Sequence, residues 1–189
     1  VIRQRKDCIL SQPTGPFTVS TNLVAKIIVI KLVPGFDDES IEALVKYSTS
    51  LRAIVLELYG TGNGPSKKKS LLDAIRDARR KGIVVVALTQ CARGGVSLET
   101  YSMGRDFSDA GVIPGGDMTT EACTTKLAYL FGLFPDPSEV ESYMGINLRG
   151  ELSISSTGIL RNTSNLLSVI PPSPLRSTHT SQNSLSNVV

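Results

Sequence analysis

A chain of 189 residues with 41% hydrophobic content has room for one domain with a real core, plus tails. Its net charge of +3 has no basic patch with interleaved aromatics behind it, which argues against nucleic acid as a partner. No apolar run approaches the roughly 18–20 residues a membrane helix needs, and no secretory signal opens the chain. The first residue is Val1, so a fragment or a processed product is expected. Cys8, Cys91 and Cys123 are an odd number without a Cys-x-x-Cys spacing, which argues against a disulfide framework or a zinc site and fits a reducing cytosol. The single histidine, His179, falls in a tail, so the folded part holds no Ser-His or Cys-His dyad and no histidine-containing metal site.

Residues 1–23 carry the basic residues Arg3, Arg5 and Lys6 and the turn signal Pro13-Thr14-Gly15-Pro16. They read as a linker or the end of a preceding domain. Residues 26–33 form the first expected strand, ended by Pro34-Gly35. Asp37 or Asp38 caps the next helix, whose apolar face is Ile41, Leu44 and Val45. The apolar run of residues 53–59 reads as a strand covered on both faces, interrupted only by Glu57. Gly60, Gly62 and Gly64 then form a glycine-rich loop, and Pro65 suits the first turn of a helix over 66–81. In that helix Leu71, Leu72, Ile75 and Ala78 share one face, and the basic residues from Lys67 to Lys81 read as a solvated face. Gly82 ends it.

Residues 83–88 are the third buried strand, with Thr89-Gln90-Cys91 at its carboxyl end and a glycine-containing loop from Ala92 to Thr100. A short helix is expected over 101–110, stopped by Gly111, then a short apolar piece at Val112-Ile113. Asp117 or Thr119 caps a helix running to about Phe131, with Leu127, Leu130 and Phe131 inward. Pro135-Asp136-Pro137 breaks it, and a last helix spans 138–146. From about residue 153 to 189 the composition turns to Ser, Thr, Asn and Pro, and this stretch is expected to be disordered. The alternation of strand and helix specifies an α/β fold, a small parallel sheet with helices on both faces.

Ligands of open α/β sheets gather beyond the carboxyl ends of the strands, so the loop at 60–64 is the first candidate site. Gly60-x-Gly62 is an incomplete dinucleotide pattern, because Pro65 stands where the third glycine belongs, and no Lys-Ser or Lys-Thr follows in phosphate-loop register. Asn63 offers a donor and an acceptor at a strand end; its bland reading is a local side-chain to backbone turn. Cys91 reads as a small apolar residue after a buried strand. Thr119 and Thr120 read as helix-capping groups beside Asp117. Glu57 is either a partnered buried charge or a residue near an interface. Tyr59 and Tyr101 either supply hydroxyls near strand ends or pack.

Six ordered segments carry a resemblance over residues 24–152: Leu32-Val-Pro-Gly35, Val55-Leu-Glu-Leu-Tyr-Gly-Thr-Gly-Asn-Gly-Pro65, Thr89-Gln-Cys91, Gly94-Gly95, Gly111-Val-Ile-Pro-Gly-Gly-Asp-Met-Thr-Thr-Glu121, and Asn147-Leu-Arg-Gly-Glu-Leu152. This stretch resembles the carboxy-terminal domain of cytosolic, type I-like L-asparaginases, which also occurs in animal asparaginase/lysophospholipase proteins. The resemblance implies a Rossmann-like or flavodoxin-like domain of a cytoplasmic amidohydrolase. Its family uses a threonine nucleophile, an acyl-enzyme and hydrolysis to aspartate and ammonia, with no metal and no cofactor. The nucleophilic threonines belong to a Thr-Gly-Gly-Thr and a Gly-Thr-Asp-Thr motif in an amino-terminal domain, and neither motif occurs here. The implied partners are L-asparagine and a homo-oligomer, dimer or tetramer, in which this domain meets the amino-terminal domain of a neighbouring subunit.

By the same resemblance Asn63 reaches toward the substrate's α-amino and carboxylate end, and Thr61 and Gly62 shape its loop. Glu57, Thr89 and Cys91 correspond to a regulatory or interface neighbourhood. The related bacterial cytosolic enzyme has a basic residue where Glu57 stands. The competing expectation is a non-catalytic module that binds asparagine or pairs with full-length subunits. A lysophospholipase is a distant third, and no Gly-x-Ser-x-Gly elbow is present.

Overall fold

The computed structural model describes residues 19–65 and 69–153. The basic cluster at Arg3, Arg5 and Lys6, the expected helix start at 66–68, and the expected tail with His179 lie outside the described residues.

Four strands pair in sequential order, all parallel: β1 (Ile27–Lys31), β2 (Ala53–Leu58), β3 (Val84–Thr89) and β4 (Ile113–Pro114). α1 (Asp38–Tyr47), α2 (Lys69–Arg80) and α3 (Ser102–Asp109) connect them, and α4 (Thr120–Leu133) and α5 (Pro137–Met144) follow. When parallel strands are laid down in sequential order, right-handed crossovers put every connecting helix on one face. The packing agrees. Ile54, Leu56, Leu58, Val85 and Ala87 meet Ile41 and Val45 of α1, Leu71, Ile75 and Ala78 of α2 and Phe107 of α3. The alternate residues Ala53, Val55, Val84, Val86 and Leu88 turn to the opposite face, where Leu127, Leu130 and Phe131 of α4 and Val140 and Met144 of α5 cover them. The expected helices on both faces are present, three on one side and two on the other.

Local chemistry explains the helix ends. Asp37, not Asp38, caps α1, its carboxylate accepting from the Glu39 N–H at 3.1 Å. Thr119, not Asp117, caps α4, with its hydroxyl accepting from the Ala122 N–H at 3.2 Å. The Asp117 carboxylate instead accepts from the Ser153 N–H at 2.8 Å, a contact between residues 36 apart that local spacing does not reveal. On α2 the exposed Arg76 and Arg80 each pair with an aspartate three residues earlier, Asp73 and Asp77, which fits a solvated face.

Gly104 in α3 faces the backbone of Leu98, and a Cβ there would stand 2.9 Å from the Leu98 carbonyl carbon and 3.0 Å from its Cα. Helix propensity alone would favour Gly104→Ala by about 1 kcal/mol. Backbone cannot give way as a flexible side chain does, so the clash should dominate. Gly104→Ala is expected to lower stability by about 1–3 kcal/mol, read from the urea midpoint at unchanged m.

Candidate functional site

The loops at the carboxyl ends of the strands form the candidate site. After β2 the chain reverses at once. The Tyr59 N–H donates to the Asn63 carbonyl at 2.8 Å and the Asn63 N–H to the Tyr59 carbonyl at 2.9 Å, a small antiparallel bridge. Gly62, at φ +132, lies in a backbone region closed to other residues, and a Cβ on it would meet the Ser97 carbonyl oxygen at 3.1 Å. Gly64 serves the loop in another way, through close approach. Its φ is not positive; it is needed because a Cβ would enter the Phe107 ring at 2.8–2.9 Å.

Asn63 is exposed, and its Oδ1 accepts from the Gly64 N–H at 2.9 Å, the local turn-forming bond of its bland reading. Its amide nitrogen has no acceptor among the described residues, which leaves a donor facing outward on a backbone tied at both sides. Thr61 is exposed beside it, and its carbonyl accepts from the Ser97 N–H at 2.7 Å.

The end of β3 holds this loop in place. Thr89 Oγ1 donates to the Gly60 carbonyl at 2.5 Å and accepts from the Cys91 N–H at 3.0 Å. Cys91, read as a small apolar residue after a buried strand, is exposed: its N–H donates to Thr89 Oγ1 in a turn right after the strand. Glu57 falls on the other side of the sheet. In register it sits beside Leu88 and Lys31, while Leu58 sits beside Thr89. The pleat therefore sends Glu57 toward α4 and Thr89 toward the glycine loop. The half-buried Glu57 carboxylate accepts from Thr120 Oγ1 at 2.7 Å. Thr120 is thus a partner for Glu57 and not a cap. The structure joins Thr89 to Cys91 and keeps Glu57 apart from both. Tyr59 packs on the core with its hydroxyl buried and unpartnered, and Tyr101 is exposed.

Two residues carry more of the site than their sequence context shows. Gln90 Nε2 donates to the Leu32 carbonyl at 2.6 Å and to the Glu57 carbonyl at 2.7 Å, stitching the carboxyl ends of β1 and β2. Its only sequence signal is a polar amide directly after a buried strand. Lys126, 6% exposed, donates to Glu151 Oε1 at 2.7 Å and to the carbonyls of Met144 at 3.0 Å and Ile146 at 2.5 Å. Three acceptors match the three protons of the ammonium. The signal here was its position, three residues after Cys123 and four before Leu130 on the buried stripe of α4.

Burial lowers the Lys126 pKa, opposed by the hydrogen bond and charge of Glu151. Burial alone would raise Glu151. The Lys126 ammonium and the N–H groups of Leu148 and Arg149 outweigh it and hold that carboxyl below its ordinary value of 4.5. Burial pushes the Cys123 thiol up to about 12, against a smaller pull from Lys126, so it stays protonated and inert at neutral pH. Among the described residues no group of three or more His, Cys, Asp or Glu is placed to hold a metal, and no helix is long and apolar enough to cross a membrane.

The profile of the Glutaminase/Asparaginase C-terminal domain matches residues 26–144. L-asparaginase 1 of Escherichia coli is 39% identical over 125 residues, which are 66% of this chain and 36% of that protein. The 60 kDa lysophospholipase of Mus musculus is 31% identical over 144 residues, 75% of this chain and 25% of the relative. Among solved structures, the thermostable L-asparaginase from Thermococcus kodakarensis superposes with a TM-score of 0.68 at 38% identity, over 76% of this chain and 42% of that one. The chain thus spans well under half the length of these relatives.

The Lys126–Glu151 pair sets an acid limit. A carboxyl held below 4.5 in the fold binds fewer protons there than in the unfolded chain, so its contribution is complete above about pH 4.5 and is lost as pH falls through the lower folded value. Glu151→Gln should therefore be less stable than the parent at pH 7. The gap in melting temperature should narrow as pH is lowered below 4.5, as thermal unfolding followed by circular dichroism across pH 3–7 would show.

Proposed function

The chain belongs to the glutaminase/asparaginase family through its C-terminal domain, and from that premise we propose that it supplies one part of an L-asparagine amidohydrolase. Residues 24–152 form the domain that completes a substrate site and contributes to the contact between subunits of a homo-oligomer. The nucleophilic threonines come from an amino-terminal domain, and this chain by itself hydrolyses nothing. The reaction it serves, asparagine to aspartate and ammonia, runs on protein groups alone, in the cytoplasm, without metal or cofactor and without nucleic acid or membrane as partner.

The single observation that carries this reading is Asn63. Its side-chain nitrogen is an unused donor at the carboxyl edge of the sheet, on a backbone fixed by two hydrogen bonds to Tyr59. Such a group can donate to an amino acid's carboxylate with little ordering left to lose. Thr61 and Gly62 keep the loop in register with Ser97; on this reading its ligand is L-asparagine. On this reading Thr89 and Cys91, one hydrogen-bonded turn, and Glu57, through the opposite face, line the subunit contact or a regulatory position beside the site.

The test is Asn63→Ala in a protein that joins this domain to the threonine-bearing one. Loss of a charge-assisted contact should lower kcat/KM by about 1.5–3 kcal/mol, roughly 10- to 150-fold. Melting temperature should hold, because Asn63 is exposed and its side chain bonds only the adjacent Gly64. Unchanged kinetics would return Asn63 to a turn-forming role.

A further inference from the structure

The segment from Met144, the last residue of α5, to Ser153 is clamped past the end of β4. Lys126 grips it at Met144, Ile146 and Glu151, and Glu151 in turn accepts from the N–H groups of Leu148 at 3.0 Å and Arg149 at 2.6 Å. Beyond that grip, a Leu152 methyl occupies the place a Cβ on Gly116 would take, and the Ser153 N–H donates to Asp117. Gly116 sits at φ +62, and its carbonyl accepts from the Val96 N–H at 2.9 Å. Gly95 lies so close to Gly116 that an added Cβ would be 2.9 Å from the Gly116 carbonyl carbon. One residue further, the Ser97 N–H reaches Thr61 at 2.7 Å, and the Ser97 carbonyl closes on Gly62.

We propose that Lys126 is a positioning residue for the Asn63 loop, acting through Glu151, Leu152, Gly116 and Ser97. The inference rests on the reading of Asn63 as a substrate contact. Each step after Leu152 is backbone against backbone, and at Gly116, Gly95 and Gly62 there is no side chain to absorb a displacement. Close-packed contacts of this kind transmit small shifts instead of damping them. The chain of contacts also explains why so costly a group as a buried ammonium sits far from the loop it serves. Its three acceptors all lie on the segment whose end presses on Gly116.

The test follows backbone amides in the 189-residue chain. Leu152→Ala removes the methyl that lies on Gly116 and leaves both charges in place; Glu151→Gln weakens the grip itself. Both variants should move the amide resonances of Val96, Ser97, Gly62 and Asn63. In Leu152→Ala, hydrogen exchange at Ser97 should speed up by about tenfold while the amides of Ala74 and Ile75 in α2 keep their rates; in Glu151→Gln, which lowers stability as a whole, exchange at Ser97 should rise by about tenfold more than at Ala74 and Ile75. Leu152→Met should restore the parent pattern. Should Glu151→Gln fail to fold, Leu152→Ala and its rescue carry the test alone. Faster exchange in α2 to the same extent would show a general loss of stability and overturn the proposal, as would a perturbation that stops at Gly116. No substrate enters this readout, so it stands or falls separately from the kinetics of Asn63→Ala.

Discussion

One dipeptide aligns the carboxyl edge of the sheet. The Gln90 amide holds the carbonyls of Leu32 and Glu57 together, and the Thr89 hydroxyl holds Gly60 to the end of β3. β1 and β2 stop pairing at Lys31 and Glu57; the Glu57 carbonyl still accepts from the Leu32 N–H at 3.1 Å, and the Gln90 amide adds a second donor there while pairing the carbonyl of the fully buried Leu32. Leaving a buried carbonyl unpaired costs about 1–3 kcal/mol, comparable to a large share of what a marginally stable domain has to spare. Gln90 meets that need at Leu32 and Thr89 ties the exposed Gly60 to β3, and together they set where the glycine loop leaves the sheet. Asn63 inherits its position from them.

The fold was legible because its signals are local. Ile54, Leu56 and Leu58 alternate with Ala53 and Val55, and the two sets part to opposite faces, as a doubly covered strand requires. Leu71, Ile75 and Ala78 recur at helical spacing and are buried. The site was legible in part. The glycine loop and Asn63 stand out by residue type, and the structure places them at the strand ends. What stayed hidden depends on distant partners. Asp117 reaches Ser153 and leaves the cap to Thr119, Thr120 turns to Glu57, and Lys126 reads as a stray charge until Glu151 folds over it. Cys91 is exposed because of a turn two residues long, which composition does not reveal.

Charge is used sparingly and with purpose. The exposed pairs on α2, Arg76–Asp73 and Arg80–Asp77, are the kind that contribute at most about 1 kcal/mol each. Lys126–Glu151 is of a different kind. Removing one partner of a buried pair costs about 3–5 kcal/mol, because the other remains uncompensated. That pair ties α4 to the end of the domain and fastens the Asn147–Leu152 segment, one of the stretches that carry the family resemblance. The same segment places Leu152 against Gly116 and Ser153 against Asp117, beside the loops of the candidate site.

On the proposed function, substrate contact belongs to this domain and bond-making to another. The most direct measurement is ammonia release from L-asparagine by three samples: this chain, a separately produced domain bearing the two threonine motifs, and their mixture. The account predicts silence from each alone and turnover from the mixture. Turnover by the chain alone would contradict it. So would a folded, associated mixture that releases no ammonia while the chain alone binds asparagine, a result that would leave the chain a binding module without a role in hydrolysis.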